Sequence, residues 1–214
     1  MLNILNENNT VANHFIAELR NVEIQTDRMR FRRNLERLGE VMAYEISRTL
    51  NYEEKEIITP LGNSSASLIK EQPILATILR AGLPMHNGLL NYFDMADSAF
   101  ISAYRRHHKD GSFDINLEYV SSPSMEDRTL IICDPMLATG QSLVLTYKAL
   151  MQYGRPKQTH IVAAISSRQG IAHVQANLGD VSIWTGAVDE ELTSKAYIVP
   201  GLGDAGDLAY GVKD

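Results

Sequence analysis

The stretch Leu130 to Leu143, LIICDPMLATGQSL, constrains the fold more than any other part of this chain. Leu130, Ile131, Ile132 and Cys133 form the continuous apolar run of a strand buried on both faces. Asp134 falls where that strand should end, and Pro135 removes a backbone donor and interrupts the ladder. A small-residue loop, Ala138-Thr139-Gly140-Gln141-Ser142, leads into helical spacing from Leu143 to Tyr153. A strand, a loop and a helix N-terminus in that order present free N–H groups and a favourable dipole to an anion. Thr139 and Ser142 add hydroxyl donors. Asp134 would repel a phosphate, so its role is to accept from sugar hydroxyls beside one or to help hold a cation. The alternative is a plain turn with Ser142 or Thr139 as N-cap and nothing bound. A P-loop is excluded, because Gly140 is followed by Gln141 and not by the Lys of GxxxxGK[ST].

The pattern recurs. Pro73 to Leu79 is a second buried strand running into Arg80-Ala81-Gly82 and a helix to about Tyr92. A strand-end arginine suits a diphosphate, since guanidinium pairs with phosphate oxygens; alternatively Arg80 is paired with a nearby carboxylate. Ala99–Tyr104, Thr159–Ile165 and Val181–Thr185 are further strands, with a helix over Gln169–Leu178 closed by Gly179-Asp180. Strands alternating with helices predict a mostly parallel α/β sheet with helices on both faces, whose ligands bind off the carboxyl ends of the strands.

Other segments complete the expectations. Residues 1–12 are polar and Asn-rich, read as a loosely held arm or an oligomer contact. Asp27 caps a long helix carrying Phe31, Leu35, Leu38, Met42, Ile46 and Leu50. The arginines at its start (Arg28, Arg30, Arg32, Arg33, Arg37) form a solvated face or a subunit contact. Glu56–Thr59 is a short extended piece before a turn at Pro60-Leu61-Gly62. The strand ending at Arg105-Arg106-His107-His108, a turn at Lys109–Ser112 and a partner strand over Ile115–Val120 form an antiparallel arm. Adjacent His107 and His108 point to opposite faces, and no third residue has zinc-site spacing. In the tail, Gly201, Gly203 and Gly206 spell a formal GxGxxG, but with no helix or second strand expected to follow it is not a dinucleotide fingerprint. Its glycines instead admit a flat ligand close to the backbone, with Asp204 and Asp207 facing the site.

Bulk properties narrow the function. The 214 residues fit one large domain, and the net charge of −6 (20 basic, 26 acidic) argues against broad nucleic-acid binding. No apolar run is long enough to span a membrane, and the N-terminus lacks the pattern of a signal peptide. The lone Cys133 points to a reduced compartment, read as the cytoplasm.

Together, Ile78-Leu-Arg-Ala-Gly82, Asp134-Pro-Met-Leu-Ala-Thr-Gly140 and Tyr197-Ile-Val-Pro-Gly-Leu-Gly-Asp-Ala-Gly-Asp207 resemble the uracil phosphoribosyltransferases, from about Asp27 to the C-terminus. The resemblance implies a type I phosphoribosyltransferase-like fold with a β-arm over 104–121 and a uracil-binding loop over 197–211. It implies transfer of ribose 5-phosphate from phosphoribosyl diphosphate (PRPP) to N1 of uracil, with Mg²⁺ bound through PRPP and not directly by the protein. By position, Asp134, Pro135, Met136, Leu137, Ala138, Thr139, Gly140, Gln141 and Ser142 would hold the ribose 5-phosphate. Arg80 and Arg105 would contact the diphosphate. Ile198, Gly203, Asp204 and Ala205 would read uracil, with Asp204 also touching PRPP; Arg80, Arg105, Asp134 and Asp204 form the catalytic set. A homodimer or higher homo-oligomer is implied, and a GTP effector, used by some members, is left open. Three departures from the family pattern stand out. Gln141 replaces a second glycine, which would strain the chain by roughly 1 kcal/mol if φ were positive there. Leu208 replaces a basic residue, and the arm lacks an acidic run after Arg105. A relative that binds PRPP or UMP without turnover, or that regulates RNA, remains the alternative.

Overall fold

The computed structural model describes residues 1–107 and 113–212, with side chains described for 1–103 and 117–212. In chain order the elements are β1 (Leu2–Ile4), α1 (Ala12–Arg20), α2 (Arg28–Ser47), β2 (Tyr52–Thr59), β3 (Gly62–Ile69), β4 (Ile74–Leu79), α3 (Leu83–Leu90), β5 (Asp97–His107), β6 (Phe113–Ser121), β7 (Thr129–Cys133), β8 (Met136–Leu137), α4 (Gln141–Leu150), β9 (Gln158–Ser167), α5 (Arg168–Leu178), β10 (Ser182–Asp189), β11 (Glu191–Leu192), β12 (Ile198–Val199) and α6 (Ala205–Tyr210). The main sheet runs β1-β10-β9-β7-β4-β5-β6, with β8 continuing alongside β9. All its pairs are parallel except β5–β6. This is the predicted α/β architecture with its antiparallel arm. The side chain of Arg105 and the turn expected at Lys109–Ser112 lie outside the described residues.

Alternation along the strands explains why both faces are covered. In β7, Ile131 and Cys133 join a large core with α1, α2 and α3, while Leu130 and Ile132 face the opposite layer. In β9, Val162 and Ala164 enter the first core, whereas Ile161 and Ala163 meet α4 and α5. A sheet apolar on both sides needs helices on both sides. Helices α2 and α3 cross at glycines: a Cβ on Gly39 would meet the Met85 carbonyl, and one on Gly88 the Glu36 carbonyl. Asp27 caps α2 as expected, accepting from the Arg30 amide at 3.0 Å.

Three expectations are corrected. The first residues are not a loose arm: β1 docks in parallel on β10, with the Met1 ammonium donating to the Val181 carbonyl. A six-residue helix, α6, does form at the C-terminal glycines, starting after Gly203 and taking in Gly206, because Asp204 accepts from the Asp207 amide and starts a turn. The extended piece near Glu56 is one strand of a full hairpin, β2–β3, whose Asn63–Ser67 run, polar but for Ala66, gave no alternation to reveal it. The arginines of α2 do lie on a solvated face, as expected, and most also have partners within the chain. Arg30 pairs with Glu18, Arg33 with Glu36 and Glu40, and Arg37 lies over Phe15.

The chain passes from β4 outward to β5 and β6, then returns to place β7, β9 and β10 on the other side of β4. The switch in direction therefore falls between β4 and β7, where open α/β sheets leave a crevice at their carboxyl ends.

Candidate active site

The loop after β7 is held from two sides. The Asp134 amide donates to the Val162 carbonyl, and the Pro135 carbonyl accepts from both Ala164 and Ile165. Pro135 thus breaks the ladder for one step before β8 resumes it on β9. Asp134 Oδ1 accepts from the Met136 amide at 3.3 Å. Gly140, at φ 76°, occupies the N-cap of α4, and no side chain caps it. Neither Ser142 nor Thr139 is the N-cap residue that the alternative of a plain turn required; Thr139 Oγ1 accepts from the Gln141 amide at 3.4 Å. Gln141 is the first helical residue, exposed, and outside the positive-φ set, which among the described non-glycine residues is Asp127 and Ala196. The departure at Gln141 therefore carries no backbone strain.

Beneath the loop lies the start of α5. Ser167, fully buried, donates to the Ala138 carbonyl at 2.5 Å and accepts from the Gly170 amide at 2.8 Å. A Cβ on Gly170 would run into the Ala138 carbonyl and stand 2.8 Å from that of Leu137. The loop is seated on backbone with no room for a methyl group.

The turn after β4 lies beside it. A Cβ on Gly82 would come within 2.9 Å of the Cys133 carbonyl and 2.8 Å of the Ile78 carbonyl, so this turn rests on the end of β7. The Leu79–Arg80 peptide bond is cis. Arg80 does have a carboxylate partner: its Nη2 donates to Asp207 Oδ1 and to the Gly211 carbonyl, each at 3.1 Å. Its Nε is buried and has no hydrogen-bond partner among the described residues.

The third segment follows β10. Strands β11 and β12 form a small ladder, the Val199–Pro200 bond is cis, and Gly201 and Gly203 take positive φ. Ile198, Leu202 and Ala205 are buried, whereas Gly203 and Asp204 are exposed. Buried Asp189, the last residue of β10, accepts both Arg20 Nη atoms at 2.8 Å and the Gly201 amide at 2.9 Å. Arg20 also donates to the Gly201 carbonyl. On the far side, Arg32 donates to the Ala209 carbonyl at 2.7 Å and lies over the Tyr210 ring. Leu208, in place of a basic residue, packs on the main core and lies 3.6 Å from where a Gly203 Cβ would stand.

Three of the four segments singled out from the sequence thus meet at the carboxyl ends of β4, β7 and β10: residues 80–82, 134–142 and 198–207. Missed were the residues that seat them, namely Arg20, Ser167, Gly170, Asp189 and the pairing of Asp207. Cys133, next to Asp134, is not a nucleophile: burial pushes its thiol up to about 12. Burial also pushes His86 and His160 down to about 4, so both are neutral core residues.

The geometry has close counterparts. The family model "Uracil phosphoribosyltransferase" matches residues 6–212. A uracil phosphoribosyltransferase from Porphyromonas gingivalis is 51% identical over 210 residues, covering 98% of this chain and 97% of its own. One from Thermococcus gammatolerans is 38% identical over 199 residues, 92% of this chain and 87% of its own. The solved structure of the AQ2163 protein from Aquifex aeolicus superposes with a TM-score of 0.88 at 31% identity, covering 99% of both chains. With its three loops gathered at one sheet edge and a match spanning nearly its whole length, the chain belongs to the uracil phosphoribosyltransferase family.

Proposed function

We propose that this protein transfers the 5-phosphoribosyl group of PRPP to N1 of uracil, releasing UMP and diphosphate, as a step of pyrimidine salvage. The observation that carries the reading is the convergence of the 80–82, 134–142 and 198–207 segments, joined by the Arg80–Asp207 pair. The loop 134–142 takes the ribose 5-phosphate, its amides and hydroxyls facing the phosphate and Asp134 the ribose hydroxyls. Arg80, with Arg105, meets the diphosphate. Ile198, Gly203, Asp204 and Ala205 line the uracil slot, and Asp204 also reaches PRPP.

The reaction asks little covalent chemistry of the protein. Departure of diphosphate from C1′ leaves oxocarbenium character there, and N1 of uracil must already be in line to form the new bond. Arginine donors stabilise the charge growing on the leaving group. Mg²⁺ fits as an ion carried by the substrate, with half-buried Asp134 as one carboxylate beside it, in keeping with the preference of Mg²⁺ for water and phosphate oxygens. When bound, it would neutralise charge on the diphosphate. A slot lined by backbone suits the two carbonyls and two N–H groups of uracil. Cytosine would leave buried groups unpaired there and be rejected.

The exposed hairpin β2–β3, with Ile58 86% and Leu61 100% exposed, supports a homodimer or higher homo-oligomer. Among the described residues no helix is long and apolar enough to cross a membrane. The test is purified protein with PRPP, Mg²⁺ and labelled uracil, run with and without GTP. UMP above a protein-free control is expected. Calorimetric binding of PRPP or UMP with no product would select the non-catalytic relative instead.

A further inference from the structure

We infer that Asp207, a residue outside the expected substrate-binding set, positions Arg80 for the diphosphate and thereby ties the uracil loop to the PRPP half of the site. The inference rests on the reaction proposed above. Arg80 has five N–H donors on a planar fork. Both hydrogens of Nη2 are taken within the C-terminal segment, one by Asp207 Oδ1 and one by the Gly211 carbonyl, each at 3.1 Å. That anchorage fixes the plane of the guanidinium. The Nε donor is thereby left buried and unpartnered among the described residues, at the carboxyl end of β4. A buried donor in that state is costly unless an acceptor arrives. The oxygens of a diphosphate are acceptors of the right charge and geometry.

Asp207 is itself held firmly. Its amide donates to Asp204 Oδ1, its carbonyl accepts from the Gly211 amide, and it lies in the first turn of α6. Gly206 sits against the same guanidinium, 3.8 Å from Nη2 to where a Cβ would stand. Helix α6 is in turn fastened to α2 through Arg32, which donates to Ala209. A displacement of the uracil loop therefore moves Asp207, and Arg80 moves with it. The two carboxylates have different roles. Asp204 caps α6 beside the base slot, and Asp207 orients the arginine of the neighbouring loop.

The experiment is a double-mutant cycle on kcat/KM for PRPP, with wild type, Asp207→Ala, Arg80→Ala and the double variant. Wild type making no UMP would refute the proposed reaction itself, and would be seen before any variant is read. With an active wild type, Asp207→Ala should raise KM for PRPP about tenfold while KM for uracil changes less than threefold. In the Arg80→Ala background the same change should cost under twofold, because Asp207 acts through Arg80. Asp207→Asn, which retains an acceptor for Nη2, should recover most of the loss. Asp207→Ser stays polar in the first turn of α6 but is too short to reach Arg80; it should match Asp207→Ala, and replaces it if the alanine variant does not fold. Full additivity in the cycle, equal rises in both KM values, or tighter PRPP binding on removing the carboxylate would each overturn the inference.

Discussion

Replacing Asp189 with Asn should loosen the uracil loop at its root. The Asp189 side chain is 7% exposed and accepts three hydrogen bonds, two from Arg20 at 2.8 Å and one from the Gly201 amide at 2.9 Å. Asn keeps the shape but has one acceptor oxygen, and its NH₂ must face at least one donor. With the oxygen placed to serve Arg20 Nη1 and Gly201, the NH₂ opposes Arg20 Nη2; flipped, it opposes both others. The first orientation loses fewer bonds and is preferred: one charge-assisted bond goes, at about 1.5 kcal/mol, the low end of its range because the Arg20 side chain is 23% exposed and water recovers part of its loss, and the two bonds that remain lose the carboxylate charge, at about 0.75 kcal/mol each. The expected destabilisation is about 3 kcal/mol. For a chain of this length that is a fall in Tm of about 6–12 °C. Catalytically, a neutral amide holds the Gly201 amide more weakly than the carboxylate did and loosens the turn ahead of Gly203 and Asp204, so KM for uracil should rise about threefold. Thermal melts and steady-state kinetics with each substrate varied separately would measure both effects. An unchanged Tm together with an unchanged KM for uracil would refute the claim that this buried pair holds the loop.

Other perturbations have equally definite outcomes. Gly170→Ala should push the Ala138 carbonyl and raise KM for PRPP more than KM for uracil, because the methyl group enters the space under the 134–142 loop. Gly88→Ala should cost about 2 kcal/mol or more in urea unfolding, since its Cβ meets the Glu36 backbone at a helix crossing that cannot widen locally. Gln141→Gly should not stabilise the protein; Gln141 already has helical φ, and glycine would only add unfolded-state entropy. Stability should also depend on pH. His86 and His160 are held at about 4 by burial against 6.5 when unfolded, so their neutral forms support the fold fully above pH 6.5. That support is lost as pH falls from 6.5 toward 4, where the unfolded chain binds more protons, with a slope of at most about 1.4 kcal/mol per pH unit for each histidine. Urea midpoints that stay level between pH 7 and pH 5 would contradict this.

The sequence disclosed elements whose cause is local. Leu130–Cys133 and Pro73–Leu79 read as buried strands because continuous apolar runs of that length have few other uses. Asp27 read as an N-cap because capping acts within three residues. The 134–142 loop and the C-terminal glycines were legible as candidate sites for the same reason, since consecutive backbone amides make consecutive motifs. What stayed hidden was long-range: Asp189 lies 169 residues from Arg20, Asp207 127 from Arg80, and Ser167 29 from Ala138. No spacing rule connects such pairs. The β3 strand was hidden differently, because Asn63–Ser67 is polar but for Ala66 and largely exposed.

The same division bears on how an acidic chain can hold a substrate as anionic as PRPP. The arginines of α1 and α2 are not a reservoir of positive charge. Arg30 and Arg33 are neutralised by Glu18, Glu36 and Glu40, Arg32 serves the C-terminal helix, and Arg20 serves Asp189. Even Arg80 shares its charge with Asp207. Long-range steering by a basic field is thereby small, and on the proposed reading anion affinity comes from short-range donors: Arg105, the amides of the 134–142 loop at the N-terminus of α4, and the Nε of Arg80, unpartnered among the described residues. Such donors act only at hydrogen-bonding distance and only if they are already aimed. This is why so much of the chain outside the loops, from Ser167 and Gly170 under one to Arg20 and Asp189 under another, serves to keep them in place.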